Sequence, residues 1–243
     1  MSSEGLQLTM NNLQQYNQMA STWWNESSPF KDLLYLNEPR FRFFEKHVSS
    51  WKGKRVLDLG CGGGFVSEEL ARRGASVVGV DPASALLDVA RAHARESDLA
   101  IDYCVGTGES IPAQDSEFDI VVCVDVLEHV ADLDKVLIEV RRVLKPGGLF
   151  LYDTINKTTF SFLWMIVALE WISGRIPRGT HDWRKFIKPE ILHLKLTEKS
   201  FLPLEQNGVG LGSLAVSKWK ILPKFKLSKQ NMIGLYVGVA QRT

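Results

Sequence analysis

The 243-residue chain has only three cysteines, Cys61, Cys104 and Cys123. An odd count without zinc-type pairing leaves no disulfide framework, and it fits reduced thiols in a cytosol-like compartment. The chain also lacks an apolar run of the ~20 residues a helix needs to cross a bilayer. Its most apolar stretch, FSFLWMIVALEWI at 160–172, stops at Ser173 and Gly174. The opening MSSEGLQLTMNNLQQ has neither a basic n-region nor an apolar h-region, so a cytoplasmic protein is expected. No internal repeat, low-complexity tract or Pro/Gly/Ser-rich linker divides the sequence, which points to one domain with an elaborated tail. A net charge of +1 argues against a general nucleic-acid binder.

That small total conceals a division. Residues 1–156 hold 15 Lys and Arg against 23 Asp and Glu, whereas residues 157–243 hold 14 against 5. The basic part contains the apolar run. A solvated basic face and a surface for acidic lipid or another anion are both compatible with that bias.

The middle of the chain alternates short β-rich runs with helical patterns. RVLDLG, ASVVGVD, IDYCVG, FDIVVCVDVL and GLFLYDTI read as strands. FVSEELARRG, SALLDVARAHARES capped by Ser84, and DLDKVLIEVRRVLKPGG ending at Pro146 read as helices. Such alternation implies an α/β fold with a mostly parallel sheet and helices on both faces. Two helices are expected before it, around LTMNNLQQYNQMASTWWN and PRFRFFEKHVSS. A cap over 157–200, with a helix near Pro189 to Lys199, and a final β pair are expected after it. The expected layout is N-terminal helices at 1–50, a cofactor-binding core at 51–156, the apolar and basic cap at 157–200, and C-terminal strands at 201–243.

VLDLGCGGGF is the most informative segment. Gly60, Gly62 and Gly64 lie where a strand turns into a helix, and glycine lets a ligand approach the backbone closely. Asp81 ends the next strand, where a carboxylate accepts hydrogen bonds from both ribose hydroxyls of a nucleoside. A dinucleotide loop, G-x-G-x-x-G, requires glycine where Phe65 stands. Asp58 beside the loop repels a pyrophosphate and attracts an ammonium group. S-adenosylmethionine has an ammonium, a ribose and no phosphate. The segment resembles the glycine motif and acidic partner of the class I S-adenosylmethionine-dependent methyltransferases. That resemblance implies a Rossmann-like, seven-stranded sheet, contact of Val124 with the cofactor, and a place near adenine for Gly106 to Glu109.

DVLEHV brings Asp125, Glu128 and His129 just past a strand's carboxyl end. A phenol has a pKa of about 10, so accepting a methyl group at neutral pH requires help in losing its proton. Two devices are open: His129 as general base, or Mg2+ or another divalent cation held by Asp125, Glu128 and His129. A turn that Glu128 and His129 merely cap and orient is the alternative.

The flanks narrow the resemblance. ASTWWN, NEPRFRF, VLDLGCGGG, VLEHV, LKPGG and above all IPRGTHDWRKFIKPEIL are similar to the ubiquinone-biosynthesis O-methyltransferases, over about Tyr16 to Leu192. The resemblance implies O-methylation of a polyprenylated hydroxyphenol or catechol, with Arg40, Gly60, Asp81 and Val124 as cofactor contacts. It also implies that Asp125, Glu128 and His129 form a metal cluster, Asp125 being one methylene shorter than the usual glutamate. After Phe201 the family's tail sequence is absent, which leaves the exact acceptor open. His181 and Asp182 either orient a substrate hydroxyl or brace a loop. A soluble phenol as acceptor and a noncatalytic cofactor-binding scaffold in a biosynthetic complex remain the other readings. In the family reading, segments 160–188, with Arg175, Arg178, Arg184, Lys185 and Lys188, and 218–226 would make peripheral contact with an anionic membrane; burial of the apolar run as core alone is the alternative.

Overall fold

A computed structural model describes residues 13–25, 28, 30–174, 176–217 and 220–243. The strands are β1 (Arg55–Leu59), β2 (Ser76–Asp81), β3 (Ile101–Val105), β4 (Phe118–Cys123), β5 (Leu144–Ile155), β6 (Phe201–Ser217), β7 (Lys220–Ser228) and β8 (Leu235–Arg242). The helices are α1 (Lys31–Phe44), α2 (Phe65–Arg72), α3 (Ser84–Glu96), α4 (Leu133–Val143) and α5 (Pro189–Glu198). They form one sheet of order β3-β2-β1-β4-β5-β8-β6-β7. The first five strands are parallel, and β8 enters antiparallel between β5 and β6.

Successive side chains of a strand point to opposite faces, and the apolar strand residues divide accordingly. Leu57, Val78, Val80, Val121 and Cys123 pack beneath α4 and α5, with Val136, Val140, Leu192 and Leu196. Val56, Val77, Ile120 and Val122 pack beneath α1 and α2, with Phe41, Phe44, Val66 and Leu70. The expected two-faced α/β architecture is therefore present.

The sheet has eight strands rather than seven. The tail forms three, because β6 continues past its pairing with β8 and turns back as β7, which pairs with Gly208–Ser217. Three helix boundaries also differ from expectation. α1 begins at Lys31 and contains Pro39; partly buried Leu33, Leu34 and Leu36 extend its apolar side upstream of the proline. Ser84 does not cap α3, where the N-cap is Ala83 without a side-chain bond. α4 stops at Val143 because Leu144 is already extended, before a lysine whose own helical conformation Pro146 disfavours.

β1, β2, β4 and β5 run parallel, so Gly60, Asp81, Val124 and the segment after Ile155 all emerge at one edge. Thr158 caps the chain's next turn in a capping box with Ser161. Phe162–Ile172 then winds as a π-helix, a wider form with i→i+5 bonds. Among the described residues no helix is long and apolar enough to cross a membrane.

Candidate active site

The donor side is built on the turn after β1. Gly60 has φ +75° and Gly62 φ +51°, conformations that L side chains rarely adopt. A Cβ at Gly62 would lie 2.8 Å from the Trp23 ring, and one at Gly60 would collide with Val126. Asp81 ties the loop to β2: Oδ2 accepts from the Gly62 N–H at 2.9 Å and Oδ1 from the Ala83 N–H at 2.8 Å. Each oxygen keeps a second lone pair for a ligand hydroxyl. Burial raises the Asp81 pKa. Asp58 is buried below the loop and accepts from the Ser67 hydroxyl at 2.5 Å. Its pKa is pushed up to about 7 by burial, which weakens the negative charge expected there. Trp24 Nε1 donates to the Gly63 carbonyl at 2.9 Å, while the buried Trp23 Nε1 has no partner among the described residues.

The acceptor side begins two residues after β4. Asp125 has φ +56°, and its N–H donates to Asp153 Oδ1 at 2.7 Å. Arg40, only 1% exposed, lies between two carboxylates. Its Nη2 is 2.5 Å from Asp125 Oδ2, and its Nε donates to Asp153. Burial, Asp125 and Glu128 push the Asp153 carboxyl up against the opposing pull of Arg40. Glu128 is buried and accepts from the Thr154 hydroxyl at 2.7 Å. Burial and Asp125 raise its pKa to about 7. The His129 imidazole is brought down to about 3 by burial, then by His181 and Lys185, so it is neutral.

The cap contributes a second pair. Glu170, the one acid within the apolar run, is 1% exposed. Its carboxylate accepts from the Gly179 N–H at 2.8 Å and the His181 N–H at 2.9 Å, and lies 2.8 Å from His181 Nδ1. The contact holds the His181 ring through Nδ1 and leaves Nε2 as the nitrogen not engaged by Glu170. The His181 and His129 rings lie 5.3 Å apart by centroid. Asp182 instead caps the following turn, bonding the Arg184 N–H.

Tyr16 packs in the aromatic cluster with Trp23 and Phe30, near acids of both sides. Its phenol is held protonated first by burial and then by Glu128, Asp125, Asp81 and Glu170.

A family model described as a methyltransferase domain matches residues 57–152. The ubiquinone biosynthesis O-methyltransferase of Hahella chejuensis is 44% identical over 184 residues, covering 75% of this chain and 77% of that protein. The chain belongs to the ubiquinone biosynthesis O-methyltransferase family. The protein of the same name from Idiomarina loihiensis is 43% identical, with 77% of each chain covered. An S-adenosylmethionine-dependent methyltransferase from Thermotoga maritima has the same fold, with a TM-score of 0.66 at 16% identity, covering 97% of this chain and all of that one.

S-adenosylmethionine fits the donor side of this family member: the side-chain-free loop, the lone pairs of Asp81 and the unpartnered Trp23 Nε1 form a cradle for a nucleoside. A divalent cation does not fit the acceptor side. Among the described residues no group of three His, Cys, Asp or Glu side chains converges to hold one. Asp125 is engaged by Arg40 and Glu128 by Thr154, so the set expected with His129 is not assembled. Two other expected contacts also have different partners: Arg40 holds Asp125 and Asp153, and Glu109 accepts from the Ala131 and Asp132 N–H groups at the start of α4. Val124 is buried against the α1–α2 face. Tyr16, Asp153 and Glu170 have no role in the motif reading, and Trp23 enters it only as part of ASTWWN. The only sequence signals for them are the WW pair and the single acid inside the apolar run.

Proposed function

We propose that the chain transfers a methyl group from S-adenosylmethionine to a phenolic oxygen of a polyprenylated hydroxyphenol or catechol in ubiquinone biosynthesis. The observation that carries this reading is the common edge of the sheet, where the glycine loop with Asp81 lies beside Glu128, His129 and the Glu170–His181 pair. The donor, when bound, supplies an electrophilic methyl. Asp81 receives the ribose hydroxyls, and Trp23 and Trp24 hold the loop closed. Glu170 fixes the His181 ring so that Nε2 accepts the phenolic proton as the oxygen becomes the nucleophile. His129, with a pKa near 3, is a weak base, so the role first expected of it passes to His181. Glu128, near 7, adjusts the charge beside the reacting oxygen. Orientation and exclusion of water supply much of the rate.

The cap gives the lipid part of the reading its support. Trp164, Trp171 and Ile172 are 53%, 59% and 79% exposed. Lys157 lies over the Trp183 ring at 4.9 Å and Arg178 over Trp171 at 4.9 Å. Aromatic rings beside cations suit the headgroup region of an anionic membrane, from which a prenyl tail can enter the site. Arg175, Lys218 and Trp219, also expected at this surface, lie outside the described residues.

Incubation with isotopically labelled methyl donor and a demethylquinol tests the reading. Label is expected in a methyl ether, and chelator is expected to leave the rate unchanged. Absence of ether label from folded protein that binds S-adenosylhomocysteine overturns the reading.

A further inference from the structure

At the opposite edge of the sheet lies an open, solvent-facing cavity of about 510 Å³ that the methyl-transfer reading does not use. Arg141, Arg142, Lys199 and Arg242 line it, with Asp115 and Ser116. Ser116 precedes β4, while the glycine loop follows β1. The six residues of β4 therefore separate the cavity from the donor loop by ~20 Å.

The cations are unequally compensated. Arg142 bonds Glu139 at 2.8 Å through both Nε and Nη2, and Asp115 at 2.8 Å. Lys199 lies 3.5 Å from Asp134. Arg141 and Arg242 line the cavity with no carboxylate partner among the described residues; the Nε of each is sealed from solvent, so a ligand can meet only their Nη groups. Arg242 Nη1 donates to the Ser116 hydroxyl at 3.1 Å and to main-chain carbonyls, which fixes its guanidinium without neutralising it. Guanidinium charge without a counter-charge favours an anion, and guanidinium groups match the oxygens of phosphates. We infer that this cavity is a second ligand site, for a water-soluble phosphate or diphosphate anion held between Arg141 and Arg242.

A lipid headgroup offers the same chemistry. The exposed aromatics of the cap follow the carboxyl end of β5, however, so a membrane touching them lies at the far edge of the sheet from this cavity. The ligand is accordingly taken from solution.

The test is calorimetric titration of the full chain with inorganic phosphate and with pyrophosphate at low ionic strength. Saturable binding at one site is expected, tighter for pyrophosphate and weakened by salt. Arg141→Ala, which breaks no bond in the fold, is expected to weaken it at least about tenfold, the loss of one charge-assisted bond. Arg242→Lys is expected to weaken it as well, while both variants keep wild-type affinity for S-adenosylhomocysteine. No saturable binding, or equal binding by wild type and Arg141→Ala, overturns the proposal. So does loss of binding to phosphatidylglycerol vesicles in Arg141→Ala when neither anion binds the wild type, because the cavity would then serve a lipid.

Discussion

Helix α4 and the cap helix Phe162–Ile172 are both eleven residues long, and they face opposite ways. α4 buries Val136, Leu137, Val140 and Val143 completely and leaves its charged residues partly or fully exposed on the other side. The cap helix buries its single acid, Glu170, and presents Trp164, Trp171 and Ile172 outward. Apolar content shows that a segment seeks a nonaqueous contact, but it does not show that the contact is the protein's own core. In α4 the contact is the sheet. In the cap the one charged side chain is turned inward to bond the 179–181 loop, and the largest apolar side chains face water.

The largest expected effect lies on the sheet side of this comparison. Arg40→Met leaves Asp125 and the fully buried Asp153 without their counter-charge, and is expected to cost about 3–5 kcal/mol of global stability in urea unfolding. A loss below 1 kcal/mol would show that Asp153 is already neutral.

The pH dependence of stability isolates Glu128. A carboxyl raised in the folded state to about 7 from an ordinary 4.5 binds its proton more tightly folded than unfolded. Its contribution is therefore complete below pH 4.5 and is lost as pH rises through 7, an effect of about 3 kcal/mol. Glu128→Gln is expected to remove that decline, so its stability relative to wild type rises between pH 5 and 8. Parallel profiles would contradict the shift. His129, lowered in the folded state, slopes the other way and is common to both proteins.

On the cap side, Glu170→Ala leaves three donors of the 179–181 loop unbonded, but it does so at a segment that can open to water. A fall in kcat of about 100-fold is expected, with S-adenosylhomocysteine affinity retained. Equal loss of cofactor affinity would mean that the cap supports the donor side as well. The smallest effect on stability is expected from Trp164→Ser with Trp171→Ser, within about 0.5 kcal/mol because both rings are exposed. Binding to anionic vesicles is expected to fall sharply in the same protein. A loss of 3 kcal/mol or more would make the run a core segment.

The sequence made the parts governed by local rules legible. Alternating strand residues, the glycines at the end of β1 and the acid ending β2 each announce themselves within a few positions, and the structure brings them to one edge. Contacts between distant segments were not legible. Arg40 meets Asp153 across 113 residues, and nothing near either shows that the arginine is committed. That commitment engages Asp125, and the Thr154 hydroxyl engages Glu128, so among the described residues the two do not join His129 as a metal set. Glu170 passed as an interruption in an apolar run because its partners are main-chain N–H groups and one ring in a loop nine to eleven residues on. The eighth strand depended on the pairing of β6 with β7, which side-chain patterning alone does not specify.

The most direct measurement compares two demethylquinols with the same ring, one bare and one carrying a long prenyl tail, in anionic vesicles with labelled methyl donor. The account expects label in the phenolic methyl ether and a higher kcat/KM for the tailed compound. It also expects that advantage to shrink toward unity in the Trp164→Ser, Trp171→Ser protein. Label elsewhere than on the phenolic oxygen, or a tail advantage unchanged by the two substitutions, would contradict it.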